Sequence, residues 1–336
     1  MLYLVIDETY YYILHERIKE RISGRFLKKL KVLIIVGPTA SGKKKLALEA
    51  AERFGGEIVS ADSRKVYRFM DIGTAKPSHE DRAHIPHHLI DVVDPDESFS
   101  AGEWTRRASR EIHDIIQRGK LPIISGGTGF YISAFSEGLT KGFTSDPKIK
   151  KELEKEFMLK GASFMYRKLT ALDPVRASEL HEHDSVRILR ALEIYFSTGH
   201  TFTEMLKNEK NTGGDYDYLT VGMALPRVIL NRRINDRVDD MVSRGLVDEV
   251  KNVLAMGYSR ELPAFNTVGY KEWFAFLDNR ETFEQCLVKM KQNTRRYAKR
   301  QMTWFRAKKD IRWIDACNNQ TLAHLFEEVS VWAASR

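Results

Sequence analysis

The stretch Lys31-Val-Leu-Ile-Ile-Val-Gly-Pro-Thr-Ala-Ser-Gly-Lys-Lys44 decides the fold. Its opening is an apolar run that stops at a glycine turn, the pattern of a parallel strand buried on both faces. Beyond Lys43 apolar residues recur at helical spacing, with Leu46, Ala50 and Phe54 on one side of a predicted helix over residues 44–54. A glycine-rich segment between strand and helix is the context in which a P-loop forms. Its glycines permit a tight turn, its successive N–H groups face inward as a nest for phosphate oxygens, and the helix N-terminus adds roughly half a positive charge. The predicted phosphate-binding residues are Gly37, Pro38, Thr39, Ala40, Ser41, Gly42, Lys43 and Lys44, with Lys43 on the outer phosphate.

Outward from this loop, Glu57–Ser60 reads as a second short strand, Trp104–Arg118 as a helix ended by Gly119, and Leu121–Ser125 as another buried strand. Alternating strands and helices predict an α/β fold, a P-loop NTPase-like parallel sheet flanked by helices. After Gly142 the pattern changes. Pro147–Leu159, Phe164–Leu172 and Asp184–Phe196 all read as helices, the last with Ile188, Leu192 and Tyr195 on one face. They predict an all-helical insertion domain that closes near Gly213–Gly214. Tyr218–Ala224 returns to strand character, long helical patterns follow over Val228–Met256 and Glu281–Arg306, and Ile311–Ile314 reads as a last strand. The expected division is an N-terminal extension (1–30), a catalytic core (31–142 with 214–316), the insertion (143–213) and a C-terminal tail (317–336).

The 336 residues carry a formal net charge of +8, which suits either a polyanionic partner such as nucleic acid or an ordinary basic surface. Only Cys286 and Cys317 are present, far apart, which argues against a disulfide scaffold and fits a reducing cytoplasm. No apolar run has the length of a membrane span, and the start of the chain lacks the pattern of a signal peptide. Ile13–Leu30 reads as a basic amphipathic helix or as an extension with no specific role.

Further motifs follow the loop in a fixed order: Asp62-Ser-Arg-Lys-Val-Tyr67, Asp71-Ile-Gly-Thr-Ala-Lys-Pro77, Pro86-His-His-Leu-Ile-Asp91, Phe99-Ser-Ala-Gly-Glu-Trp104 and Gly126-Gly-Thr-Gly-Phe-Tyr131. Later come Arg187-Ile-Leu-Arg-Ala-Leu-Glu193, Val268-Gly-Tyr-Lys-Glu272 and Thr294-Arg-Arg-Tyr-Ala-Lys-Arg-Gln-Met-Thr-Trp-Phe-Arg306. From about Val32 to about Asp315 the chain resembles the tRNA dimethylallyltransferases, also called tRNA isopentenyltransferases. The resemblance implies transfer of a dimethylallyl group from dimethylallyl diphosphate to N6 of the adenosine beside (3′ to) the anticodon, in tRNAs that read codons beginning with U. The loop then holds a prenyl diphosphate, with Mg²⁺ as the expected cofactor, and the expected chain is a cytoplasmic monomer.

The same resemblance assigns roles. Asp62 becomes the general base on the adenine amino group, a task a carboxylate suits because the amine sheds its proton as the C–N bond forms. Thr128 becomes the hydroxyl at the bridging oxygen of the diphosphate. Arg227 becomes the guanidinium that grips the diphosphate. Asp62, Ser63, Arg64, Lys65 and Thr128, together with Lys150, Val186, Arg187, Ile188, Leu189 and Arg190 on the insertion, are the residues expected along the tRNA. Lys65 stands where the family often has Gln. Tyr67, Phe130 and Tyr131 read as channel walls or as core. The basic helix with Lys291, Arg295, Arg296, Lys299, Arg300 and Arg306 reads as a solvated face or as phosphate contacts, with some arginines pinning the helix to the core.

One position departs from the P-loop pattern. The residue after the loop lysine is normally Ser or Thr, whose hydroxyl ligates magnesium, and here it is Lys44. Three readings stay open: magnesium held by substrate and other groups, Lys44 itself offsetting diphosphate charge, or an impaired site. No metal ligands are assigned. His84, His87 and His88, and the pair His181 and His183, lack partners at metal-ligand spacing and are expected to be structural or on the surface. Rival readings are an adenylate isopentenyltransferase acting on free nucleotides, a catalytically weakened tRNA-binding protein, and an ATP-binding P-loop kinase or ATPase. The last would need a Walker-B acidic strand, and none is evident.

Overall fold

The computed structural model describes residues 29–138, 146–208 and 216–335. The N-terminal segment with most of its expected helix lies outside these residues, and Leu30 already belongs to the first strand. The chain divides into two compact units, one built from residues up to Ile132 and from Gly214 onward, the other from Ser133–Gly213. The second unit thus begins earlier than residue 143, where sequence composition places the change.

In the first unit β1 (Leu30–Val36) leads to α1 (Lys43–Phe54), then to β2 (Gly56–Ala61), α2 (His79–His84), the short β3 (His87–His88), α3 (Ala101–Gln117) and β4 (Leu121–Gly126). The next helix, α4 (Gly129–Ser136), runs across the boundary between the units. β1 and β2 are buried almost throughout, as two covered faces require.

The second unit is helical: α5 (Pro147–Lys160), α6 (Ala162–Leu172), α7 (Pro174–Ser178), α8 (Ser185–Thr198) and α9 (Phe202–Asn208). Aspartates cap three of these helices. Asp146, Asp173 and Asp184 accept from the N–H groups of Lys148, Arg176 and Arg187, and Pro147 and Pro174 open the first two of those helices. The apolar stripes meet in a separate core of Leu153, Met165, Leu169, Leu180, Ile188 and Leu192.

The chain returns to the sheet with β5 (Tyr216–Ala224), followed by α10 (Arg227–Ser243) and α11 (Leu246–Ala255). These two replace the single long helix expected over Val228–Met256. The break falls at Gly245, whose φ of 93° lies in the region side chains avoid. Then come the short α12 (Phe274–Leu277), the long α13 (Phe283–Arg306), β6 (Arg312–Asp315) and α14 (Asn319–Ala334). A capping box at Thr282 and Gln285 starts α13. All six strands run parallel in the order β3-β2-β4-β1-β5-β6.

The segment expected to be a tail is instead a core element. Leu322, Leu325, Phe326 and Val329 recur at helical spacing along α14, and the last three are buried in one cluster with Leu33, Ile35, Leu46 and Val221. Phe54 and Phe326 lie with ring centroids 6.2 Å apart. Phe326→Ala is expected to cost about 3–5 kcal/mol of stability in urea denaturation, the range for a buried aromatic. A loss below about 1 kcal/mol would show that α14 adds no core.

Candidate active site

Strand register builds the site. Val36 at the end of β1 pairs with Gly126 at the end of β4, and Gly126 pairs with Ala61 at the end of β2. Three loops therefore leave the sheet side by side at its carboxyl edge, where open α/β sheets bind ligands. They are the phosphate loop, the Asp62 loop and the Gly126–Thr128 turn. The approach is so close that a Cβ on Gly126 would lie 2.0 Å from the Ala61 carbonyl oxygen, so only glycine fits there. A cavity of about 660 Å³ opens over these loops, bordered by Ser41, Lys43, Asp62, Lys65, Gly127 and Arg237 among others.

The phosphate loop is shaped for an anion. Gly42 is the N-cap of α1 and gives it no side-chain cap, so first-turn N–H groups lack both an intrahelical and a side-chain acceptor. The Ser41 hydroxyl is fully buried and has no hydrogen-bond partner among the described residues. Lys43 donates to the Pro38 carbonyl at 2.6 Å. Burial first, then the positive charges of Arg237 and Lys65, bring its pKa down to about 7, against a partial opposing pull from Asp62. Burial also lowers the pKa of Lys65, which Asp62 partly offsets, and that of Arg237. Several cations are thus crowded into one cavity, an arrangement that an entering polyanion would relieve.

Asp62, Ser63, Arg64 and Lys65 all border this cavity. The Asp62 carboxylate accepts from the Arg64 N–H at 2.9 Å, which fixes one oxygen. Thr128 does not itself border the cavity, but its Oγ1 accepts from the Ser63 N–H at 2.9 Å. That contact uses a lone pair and leaves the hydroxyl proton to donate. Arg64 is tied to the Pro263 carbonyl at 2.8 Å. Tyr297 lies near enough to Asp62 that burial and the carboxylate together raise its phenol pKa.

Two expectations need correction. Arg227 stands exposed in the first turn of α10 and does not border the cavity. Arg237, on the same helix, does, and its Nη1 donates to Thr39 Oγ1 at 3.3 Å. Both arginines flank the buried stripe Leu230, Ile234, Val238 and Met241, so only the helix's placement against the loop separates them. On the insertion, Ile188 is fully buried in that unit's own core, so its side chain is not presented to a partner, while Leu189 packs against that core and is partly exposed. Lys150, Val186, Arg187 and Arg190 are exposed, and Arg187 and Arg190 pair with Asp184 and Glu193.

Gln301 is a residue that sequence reasoning missed. Buried in the middle of the basic block, it accepts from the Thr39 N–H at 2.8 Å and donates to the Gly127 carbonyl at 2.9 Å. One amide thereby joins α13 to two of the three loops. Its only signal in the sequence is a neutral residue among cations. Lys291 pairs with Asp239 and Arg295 donates to Asn235, so part of the basic block pins α13 to α10. Arg296, Lys299, Arg300, Trp304 and Lys308 border a second groove along α13.

Two more motifs border the cavity and are braced by polar contacts. Lys76 is buried and donates to the Tyr67 carbonyl and to Asp71 and Asp91, while Glu249 accepts from the N–H groups of Asp71, Ile72 and Gly73. Tyr67 and Tyr131 are core residues, the latter stacked on Trp104 at 5.1 Å, and Phe130 is exposed. His88 lies between Glu57 and Glu111, His84 meets Glu52, and His181 and His183 contact one another. Among the described residues no helix is long and apolar enough to cross a membrane.

Fold and cavity together define a P-loop-like α/β protein in which the glycine-rich loop and a carboxylate border one cavity. Residues 65–308 match the family described as IPP transferase. The chain is 46% identical over 288 residues to a tRNA dimethylallyltransferase of Geobacter metallireducens, covering 86% of this chain and 93% of that protein. A relative with the same description from Geobacter sulfurreducens is 46% identical over 287 residues, 85% of this chain and 92% of the other. Among solved structures, a tRNA isopentenylpyrophosphate transferase from Bacillus halodurans matches with a TM-score of 0.67 and 38% identity over 90% of this chain and 96% of that one. A eukaryotic dimethylallyltransferase acting on tRNA matches with a TM-score of 0.77 and 32% identity over 90% and 77%. The chain belongs to the IPP transferase family and is a tRNA dimethylallyltransferase-type enzyme.

Two predictions follow from the cavity's charges. Arg237→Ala is expected to weaken inorganic diphosphate binding by about tenfold or more, as loss of a charge-assisted contact does, while Arg227→Ala leaves it within about twofold. Calorimetry on both variants checks this, and the reverse ranking would restore Arg227 as the grip. Between pH 7 and the ordinary lysine value of 10.5, the unfolded chain keeps a proton on Lys43 that the folded chain has released. In that window this residue makes the ligand-free protein more stable as pH rises. Urea titrations at two pH values inside it should show a smaller rise for Lys43→Met than for the parent.

Proposed function

We propose that this chain joins the dimethylallyl group of dimethylallyl diphosphate to N6 of the adenosine 3′ to the anticodon, in tRNAs reading codons that begin with U. The family's tRNA dimethylallyl transfer is the frame, and one observation supports the chemistry at the site: the phosphate loop and Asp62 border the same cavity, at the ends of strands that flank β4. The amine attacks the allylic carbon, the carbon–oxygen bond breaks, and diphosphate leaves with the electron pair. The amino proton passes to Asp62. Loop N–H groups, Lys43 and Arg237 receive the charge that builds on diphosphate, and the Thr128 hydroxyl donates to the bridging oxygen. Ser63, Arg64 and Lys65 line the base's approach, and Lys150, Val186, Arg187 and Arg190 offer the insertion's exposed surface to the tRNA.

A base in a loop is already partly unstacked, so extruding it costs only a few kcal/mol. The basic groove of α13, where Trp304 stands among cations, suits a phosphate backbone and gives this reading a salt-dependent affinity. We place the enzyme in the cytoplasm, in keeping with its unpaired cysteines and with a tRNA substrate, and as a monomer, as the family resemblance implies. Magnesium is the cation a diphosphate would bring with it. The loop itself offers it no hydroxyl at position 44, so no step is assigned to a loop-held metal. The relatives described above are all named for tRNA, which favours that acceptor over free adenine nucleotides.

Asp62→Asn is expected to slow transfer by at least about a hundredfold, the low end for loss of a general base, with tRNA affinity retained. The assay incubates the protein with dimethylallyl diphosphate, magnesium and unmodified tRNA, then weighs the digested nucleosides for an adenosine that has gained a five-carbon unit. An equal loss of tRNA affinity would make Asp62 an anchor and not a base.

A further inference from the structure

Position 44 is where this chain parts from the P-loop pattern, and the structure shows what replaces the missing hydroxyl. Lys44 borders the cavity in the first turn of α1, and its ammonium forms an ion pair with Asp81 in α2. Asp81 also accepts from the Ser78 N–H at 2.8 Å and from the Ser78 hydroxyl at 2.8 Å, within the capping box that starts α2. Burial alone would raise the Asp81 pKa, but the hydrogen bonds from Lys44 and Ser78 hold it at about 2, so it is a carboxylate throughout the physiological range.

A cation on the loop of a P-loop protein sits on the hydroxyl at this position and a nearby carboxylate. Here the side chain at 44 is itself the cation, and the carboxylate beside it is already neutralised. Among the described residues, no group of three or more His, Cys, Asp or Glu is arranged to hold a metal. The residues present therefore do not fit a loop-held magnesium. They do fit a built-in positive charge. Lys43, Lys65 and Arg237 all have depressed pKa values from burial in the same cavity, whereas Lys44 reaches it from the exposed rim, with its side chain 46% accessible. The pair lies at the rim, with Lys44 46% and Asp81 22% accessible, and Ser78 still donates to Asp81 when Lys44 turns to a diphosphate oxygen, so the carboxylate is not left unpartnered. Diphosphate carries several negative charges where Asp81 carries one, so the ammonium gains more Coulomb energy from the ligand.

We infer that Lys44 supplies to the diphosphate the positive charge that a loop-held metal supplies in P-loop proteins with Ser or Thr there, and that Asp81 holds the ammonium at the rim until the ligand arrives. This rests on diphosphate being the loop's ligand, and the test separates the two ideas. Inorganic diphosphate is titrated calorimetrically into the full chain, once in EDTA and once in magnesium, for the parent, Lys44→Met, Lys44→Thr and Asp81→Asn. The parent should bind in EDTA within about threefold of its affinity in magnesium, and Lys44→Met should bind at least about tenfold more weakly in EDTA, the scale of one lost charge-assisted bond. Lys44→Thr should show the same loss in EDTA and regain affinity with magnesium, and Asp81→Asn should bind as tightly as the parent or more so. Parental binding that requires magnesium, or Lys44→Met binding in EDTA like the parent, would overturn the inference while leaving the diphosphate site intact. Absence of binding in both buffers would sink the diphosphate reading and this one with it. In the nucleoside assay, a Lys44→Thr variant that outpaces the parent at every magnesium concentration would mark Lys44 as an impairment and likewise overturn it.

Discussion

Gly126 lies in register with Val36 on one side and Ala61 on the other, and the site depends on that row of backbone pairs. Parallel strands that end level release their loops on one edge, and three such loops here carry the anion cradle, the carboxylate and the hydroxyl. Shifting β4 by one residue would turn each of its side chains to the opposite face. It would also separate Thr128 from Ser63. The contact between Gly126 and Ala61 leaves no room for a side chain, so the strands' spacing and the loops' spacing are set by the same packing.

The loops hold their shape through polar side chains paired across distant segments. Gln301 satisfies the Thr39 N–H and the Gly127 carbonyl with one side chain. Glu249 gathers the N–H groups of Asp71, Ile72 and Gly73 and also accepts from the Tyr270 hydroxyl at 2.5 Å. Lys76 ties the Tyr67 carbonyl to two aspartates. Burying such groups is costly unless each is paired, and paired they specify one arrangement. The Asp71–Pro77 motif is held in one arrangement in this way, and Ile72 to Pro77 border the same cavity as Asp62.

The cavity's electrostatics follow from crowding. Lys43, Lys65 and Arg237 face one another with Asp62 as the counter-charge nearby, and burial adds to their mutual repulsion. A polyanion entering the cavity would offset that crowding of positive charge. Lys44 enters the same field from the rim, with Asp81 as its partner.

The sequence by itself determined the sheet class, the phosphate loop, the helical insertion and the family, because each rests on local pattern: an apolar run, a glycine spacing, a helical period or an ordered set of motifs. Asp62 was legible as the residue next to a strand end. Four things were settled only in three dimensions. Arg237, and not Arg227, meets the loop, since two arginines beside one apolar stripe differ only in where the helix is laid down. The C-terminal segment is a helix that covers the sheet, because its apolar spacing has meaning only once Leu33, Ile35 and Val221 stand opposite it. Ile188 belongs to the insertion's core, and Gln301 joins loops that lie far from it in sequence. Periodicity names the elements. Contacts between residues far apart in the chain depend on how those elements are placed, and no local pattern encodes that.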